Sequence, residues 1–349
     1  MKKIIIVLII IFVSALLVAC SDNSVNGNND KEIIPKDTVS IPARGFYMGL
    51  LPTPADEQSF EDVYHKVATD IEFAPVWGKP TPFYELATVL KNNWGNIFVE
   101  NYIRKNGMFP LIHFSFLGPN LSLVSPPGLN NPTLQNPEWR KTYKNAVINV
   151  IKVAKPLYIS IGNEVNRWYE KYGDNENSPN AFRYYISLYI EIYDTVKQIS
   201  PKTNVFCTFA REIVAEHREA DLSVISMFPP DKMDYLIFTS YPYAIKGINK
   251  PSDIPQNYYT KAANKMPNKP FGFSELGWSS LNFFGGEEGQ KQFLELAAKK
   301  LTRNQGINLK LFAWAWLHDL NNNAHIGLKT RTGKAKKAYN YWRLLSQNK

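Results

Sequence analysis

Cysteine is nearly absent from this sequence: 349 residues hold only Cys20 and Cys207. Two cysteines so far apart in character build neither a disulfide framework nor a cysteine-based zinc site. The glycine-rich fingerprint that follows the first strand of a dinucleotide-binding sheet is also missing. Beyond the N-terminus no apolar run is long enough to cross a bilayer. The formal charge of +9 does not form a stripe. Its basic residues are scattered except for Lys329, Arg331, Lys334, Lys336 and Lys337, read as a solvated end of the chain, and no nucleic-acid module accompanies them. His318, Asp319 and His325 sit near one another in sequence, but no second motif supports a metal cluster, so they are read as structural. No cofactor and no metal are expected, and no nucleic-acid partner.

The two cysteines have opposite surroundings. Cys207, in Asn204-Val-Phe-Cys-Thr-Phe209, reads as a small buried strand residue. Cys20 closes a segment with Lys2-Lys3, an apolar run from Ile4 to Val18 and a small residue, Ala19. That order is a secretory signal. Leu17-Val18-Ala19-Cys20 resembles the bacterial lipoprotein cleavage box, which implies lipidation of Cys20 after removal of residues 1–19. Residues 20–42 are rich in Asn, Asp and Ser without hydrophobic periodicity and read as a flexible tether. The expected address is the bacterial cell envelope, outside the cytoplasm, with the membrane reached through the lipid on Cys20.

From residue 43 to 349 short apolar runs alternate with helical patterns. Strands are expected at Gly45–Leu51, Val67–Phe73, Phe109–Phe116, Leu157–Gly162, Asn204–Phe209, Tyr235–Ser240, Pro270–Ser274 and Lys310–Trp316. Helices fall between them, clearest at Ala181–Ile199, with Asn180 as a cap and Pro201 closing the far end. Alternating β and α implies a parallel sheet, and eight such units over about 305 residues predict an α/β fold, a single-domain (β/α)8 TIM barrel. A doubly wound open sheet is the runner-up.

Functional side chains in such a barrel stand at the C-terminal ends of the strands. Those ends carry His113, then Gly162-Asn163-Glu164, then Ser240-Tyr241-Pro242-Tyr243, then Ser274-Glu275-Leu276-Gly277-Trp278, and finally Trp314-Ala315-Trp316. A glutamate ending an apolar strand is costly to bury without a partner or a task. Two of them, able to face each other across a barrel mouth, suit hydrolysis of a glycosidic bond, where one carboxyl gives a proton to the leaving oxygen and the other meets the sugar carbon. Trp77, Trp278, Trp314 and Trp316 offer flat faces for sugar rings, and His113 a polar contact. Each is also ordinary core material.

Ile161-Gly-Asn-Glu-Val165 and Phe273-Ser-Glu-Leu-Gly-Trp278 resemble the Asn-Glu and nucleophile motifs of the clan A, or 4/7 superfamily, retaining β-glycosidases. Ser240-Tyr-Pro242 is reminiscent of the endo-β-1,4-galactanases in that clan. The resemblance implies Glu164 as acid/base and Asn163 as its neighbour binding the sugar 2-hydroxyl. It implies Glu275 as nucleophile with Tyr241 hydrogen-bonded to it, and Trp314 flooring the cleaved subsite. The arginine many members carry near the end of strand two has no counterpart in Asp70-Ile-Glu-Phe-Ala-Pro-Val-Trp77. The expected function is a retaining, endo-acting glycoside hydrolase on a β-linked poly- or oligosaccharide. The rival is a carbohydrate-binding lipoprotein that keeps the cleft without the activity.

Overall fold

In the computed structural model, which describes residues 32–77, 82–321 and 325–348, the strands are all short and almost entirely buried. They are β1 (Tyr47–Leu51), β2 (Phe73–Val76), β3 (Phe109–His113), β4 (Tyr158–Ser160), a divided β5 (Asn204–Phe206 and Thr208–Ala210), β6 (Leu236–Ser240), β7 (Phe271–Leu276) and β8 (Leu309–Trp316). The helices used below are α1 (Phe60–Val67), α2 (Leu86–Lys91), α3 (Pro137–Ala154), α4 (Asn166–Tyr172), α5 (Phe182–Ile199), α6 (Gly286–Glu295) and α7 (Lys337–Ser346). Burial on both faces explains why the strands read as continuous apolar runs rather than alternating ones.

Every ladder in the main sheet is parallel. The hydrogen-bonded order begins at Asn204–Phe206, passes through β4, β3, β2, β1, β8, β7 and β6, and ends at Thr208–Ala210. Both ends of that order belong to β5. Its first half pairs with β4 and its second half with β6, and Cys207, fully buried, is the residue between. The sheet therefore closes on itself, and the (β/α)8 barrel expected from the alternation is the fold observed.

Local chemistry sets the elements. Ser59 caps α1 by accepting from the Asp62 amide, and Asn136 caps α3 from Trp139 with Pro137 in the first turn. Asn180 does not cap α5. Its side chain accepts from the Leu134 amide instead, and Ala181 occupies the cap position. The expected second strand was placed too early: Val67 ends α1, and β2 runs Phe73–Val76. Pro75 lies inside β2, opposite Leu111, an unusual place for proline within a sheet.

Near the N-terminal ends of the strands, rings pack edge to face from Tyr47 to Phe109 (5.2 Å) and from Tyr158 to Tyr235 (5.4 Å), and Phe109 stacks on Tyr158 (5.3 Å). Residues from 32 onward are fastened beneath them. Ile33 donates to Ile199 (2.7 Å), Lys36 to Lys155 (2.9 Å), and Asp37 pairs with Arg104. The later part of the expected tether is thus bound to the barrel. The signal segment, Cys20 and the tether up to residue 31 lie outside the described residues. Among the described residues no helix is long and apolar enough to cross a membrane.

The late basic cluster is not simply solvated. Lys336 is 3% exposed and its ammonium meets Asp319 at 2.8 Å, while Arg331 pairs with Asp56 and Lys337 with Glu288. Asp319 also accepts from the Gly327 amide (2.8 Å), so the acidic member of the suspected metal trio is engaged by protein groups. Replacing Asp319 by Ala leaves a buried ammonium unpaired and is expected to cost about 3–5 kcal/mol. Asp319→Leu with Lys336→Met is expected to recover most of it. Chemical denaturation of wild type, Asp319→Ala and the double variant checks this, and a double variant no more stable than Asp319→Ala would contradict it.

Candidate active site at the barrel mouth

The turn after β4 is tied to the second half of β5. Thr208 donates its amide to the Gly162 carbonyl (2.8 Å), Val165 donates to the Thr208 carbonyl (3.0 Å), and the Asn166 side chain both donates to and accepts from Ala210 (2.8 Å each). Gly162 has no room for a side chain, since a Cβ there would lie 2.1 Å from the Tyr185 hydroxyl. Within this turn Glu164 takes the left-handed conformation, φ +48°. A non-glycine residue adopts it at a cost, and such sites gather where geometry serves function.

Two threonines orient this end. The Thr208 hydroxyl accepts from the Glu164 amide (2.9 Å) and donates to Asn163 Oδ1 (2.7 Å). Thr239, in β6, donates to Glu164 Oε1 (2.7 Å), and Arg167 donates to Oε2 (2.7 Å). Thr239 is also the ladder partner of Glu275 in β7. One residue therefore links the two glutamates. Neither threonine was singled out from sequence; their only signal was a hydroxyl near the end of an apolar strand.

Glu275 accepts a short hydrogen bond from the Tyr241 hydroxyl, 2.6 Å to Oε2. Burial pushes its carboxyl up to about 7; the Tyr241 bond pulls it down, and the charge of Glu164 pushes it up again. Tyr241 is itself raised well above the ordinary phenol value, by burial first and by both glutamates after it. Its ring lies against Gly277, where a Cβ would come within 2.7 Å of it. Tyr243 turns instead toward Phe284 and Trp278, at 5.1 and 6.0 Å.

The remaining sequence candidates divide. His113 ends β3, stacked on Trp77 at 3.8 Å with the planes 12° apart. Burial lowers its pKa to about 3, so the ring is neutral, and neither ring nitrogen has a hydrogen-bond partner. Trp77 also lines a cavity of about 600 Å³ with Phe60, Tyr64, Trp94 and Phe98. Trp316 is partly exposed at the end of β8. Trp314 and Trp278 are both fully buried, correcting the expectation that they present faces to a sugar. Trp314 donates its indole N–H to Ile326 (2.7 Å), and Trp278 donates to Phe284 and stacks on Phe293 of α6.

A third carboxylate was missed altogether. Glu212, just beyond β5, is 4% exposed. It accepts from Ser240 Oγ (2.8 Å), the Tyr258 hydroxyl (2.5 Å) and the Tyr241 amide (2.7 Å). Burial raises it to about 7 against the pull of Arg211 and these donors. Among the described residues no group of His, Cys, Asp and Glu side chains is arranged to hold a metal.

No protein-family model matches the chain, and no curated protein matches it by sequence. Solved structures do match in fold. A family 39 glycoside hydrolase from Bacteroides cellulosilyticus WH2 has a TM-score of 0.59 at 16% identity, covering 90% of this chain and 65% of its own. The exo-β-1,4-mannosidase Op5Man5 from Opitutaceae bacterium strain TAV5 scores 0.59 at 16% identity, over 88% of this chain and 62% of its own. A β-glucuronidase from an uncultured Clostridium sp. scores 0.55 at 14% identity, over 87% and 51%. What this chain shares with them is the fold, a (β/α)8 barrel. This chain spans between half and two thirds of the length of these three structures.

A carboxyl raised by burial penalises the folded state when ionised. For Glu275 that penalty is absent below the ordinary value near 4.5, grows as pH rises, and is complete above about 7. Glu275→Gln, which can still accept from Tyr241, is therefore expected to stabilise the protein at pH 8 by up to about 3 kcal/mol. The gain should vanish at pH 4. Denaturation at both values checks it, and a gain independent of pH would contradict it.

Proposed function

We propose that this protein is a retaining glycoside hydrolase acting on a β-linked poly- or oligosaccharide. The observation that carries the reading is the pair of strand-end glutamates joined through Thr239, one of them held by Tyr241, the residue that follows β6. Hydrogen bonds of this kind fix the direction of each carboxylate, and that of Glu275 occupies only Oε2, leaving Oε1 for the sugar. The fold shared with three glycoside hydrolases supports the same reading.

In the proposed reaction Glu275 Oε1 attacks the anomeric carbon as the bond to the leaving oxygen breaks, and Glu164 gives that oxygen its proton. A water molecule then attacks the same carbon, Glu164 takes the water's proton, and the ester to Glu275 breaks. Proton delivery from Glu164 Oε2 requires the Arg167 guanidinium to give up that oxygen. Asn163, whose Oδ1 accepts from Thr208, keeps its amide N–H groups for a sugar hydroxyl. His113 is buried against Trp77 and has no part in sugar contact here, while Trp316, partly exposed at the end of β8, takes the stacking role. Action within a chain, rather than at its end, belongs to this proposal. So does a location outside the cytoplasm, on a lipid at Cys20, supported by the lipoprotein-like Leu17–Cys20 segment.

Purified protein incubated with β-galactan, β-glucan, β-mannan and xylan is expected to release oligosaccharides from one polymer. Glu275→Gln should abolish release, and Glu164→Gln should do so for substrates with poor leaving groups. Retention of hydrolysis in both variants would overturn the assignment. Binding to a polymer without release from any would favour a non-catalytic carbohydrate-binding protein. With Glu275 near 7, kcat/KM is expected to fall as pH drops through that value. Tyr241→Phe removes a bond that favours the ionised carboxylate, so this limb should move to higher pH while kcat drops on the order of 100-fold.

A further inference from the structure

Glu212 lies outside the two-carboxylate scheme, yet it is more completely enclosed than either glutamate in it. It reaches the site through one bond. Its Oε2 accepts from the backbone amide of Tyr241, whose hydroxyl in turn donates to Glu275. Its Oε1 is fixed by Ser240 and Tyr258, and Ser240 is within hydrogen-bond distance of the Tyr259 hydroxyl (3.0 Å). Arg211 closes the other side, its guanidinium 3.9 Å over the Tyr258 ring and paired with Glu219 at 2.8 Å. Every donor to Glu212 comes from β6, the residue after it, or the segment holding Tyr258. None comes from its own hairpin, Glu212–Ile213 with Arg218–Glu219.

The backbone at Tyr241 needs such a clamp. Tyr241 follows the last residue of β6 and has left the strand conformation, with φ −136° and ψ 67°. Its amide donates to the Glu212 side chain rather than to a neighbouring strand. A buried amide without an acceptor is costly. Loss of this one would release the chain where the phenol is aimed.

We propose that Glu212 is the positioning residue of the site: by accepting the Tyr241 amide it sets the direction of the Tyr241 phenol and so the geometry of Glu275. The inference rests on Glu275 being the nucleophile. The role is that of an acceptor rather than of a charge. Gln can keep it, because its carbonyl oxygen can face Tyr241 while the Ser240 and Tyr258 hydroxyls turn to accept from its amide. Leu cannot.

The test compares Glu212→Gln and Glu212→Leu, alone and with Tyr241→Phe, on whichever polymer the wild type cleaves, with Glu275→Gln alongside. Glu212→Gln is expected to stay within about 3-fold of wild-type kcat. Glu212→Leu should lose on the order of 10- to 100-fold in kcat with KM little changed, and its acidic limb should move upward as in Tyr241→Phe. In the Tyr241→Phe background the Leu substitution should add almost nothing. Multiplicative losses, or a Leu variant that differs only in melting temperature, would overturn the role and leave Glu275 in place. Activity surviving in Glu275→Gln would instead overturn the reading it rests on.

If Glu212→Leu does not fold, Glu212→Asp, one methylene shorter, withdraws the carboxylate from the Tyr241 amide and serves the same arms. A crystal structure of the folded variant decides the matter without substrate. The Tyr241 hydroxyl should stand beyond about 3.5 Å from Glu275, and an unchanged bond would refute the proposal.

Discussion

A carboxylate set among aromatic rings loses its water and must recover that solvation from fixed donors. Three glutamates at one end of this barrel, Glu164, Glu212 and Glu275, impose that requirement. The donors that answer it are shared: Thr239 serves Glu164 from the ladder position opposite Glu275, and Tyr241 gives its hydroxyl to Glu275 and its amide to Glu212. The outcome is unequal. Glu164 meets a guanidinium, whereas Glu275 and Glu212 meet only neutral donors directly and are both pushed up to about 7.

The rest of the fold exists to hold those donors still. Parallel strands buried on both faces give the mouth a rigid rim. The turn after β4 is stitched to β5 by backbone bonds and by Asn166, which is why Glu164 can be kept in a conformation unfavourable to its type. Stability is given up here for geometry, as is common where function is concentrated.

Much of this was legible beforehand. Glu164 and Glu275 stood out because a charge ending an apolar run contradicts its surroundings, and the alternation of runs and helical patterns sufficed for the barrel. Failures came where the deciding partner is distant in sequence. The second strand was placed too early, over the end of α1, since Pro75 interrupts the strand signal that Phe73–Val76 would otherwise give. Trp314 and Trp316, two apart in one strand, look alike in sequence. Only the packing of the indole of Trp314 against the Ile326 carbonyl and Phe293 shows which is covered. Glu212 follows an arginine and reads as half of a surface pair. Its burial comes from Ser240, Tyr241 and Tyr258, 28 to 46 residues away.

The seam at Cys207 carries a consequence for how the protein is made. The two halves of β5 answer to different neighbours, and the second half presents Thr208 to Asn163 and Glu164. A barrel that closed one residue out of register would turn Thr208 to the opposite side of the sheet. Such a molecule could be compact and still lack its orienting hydroxyl. The Thr208 contacts thus double as a check on the final ring closure, and a misthreaded chain would betray itself by a displaced Glu164 rather than by unfolding.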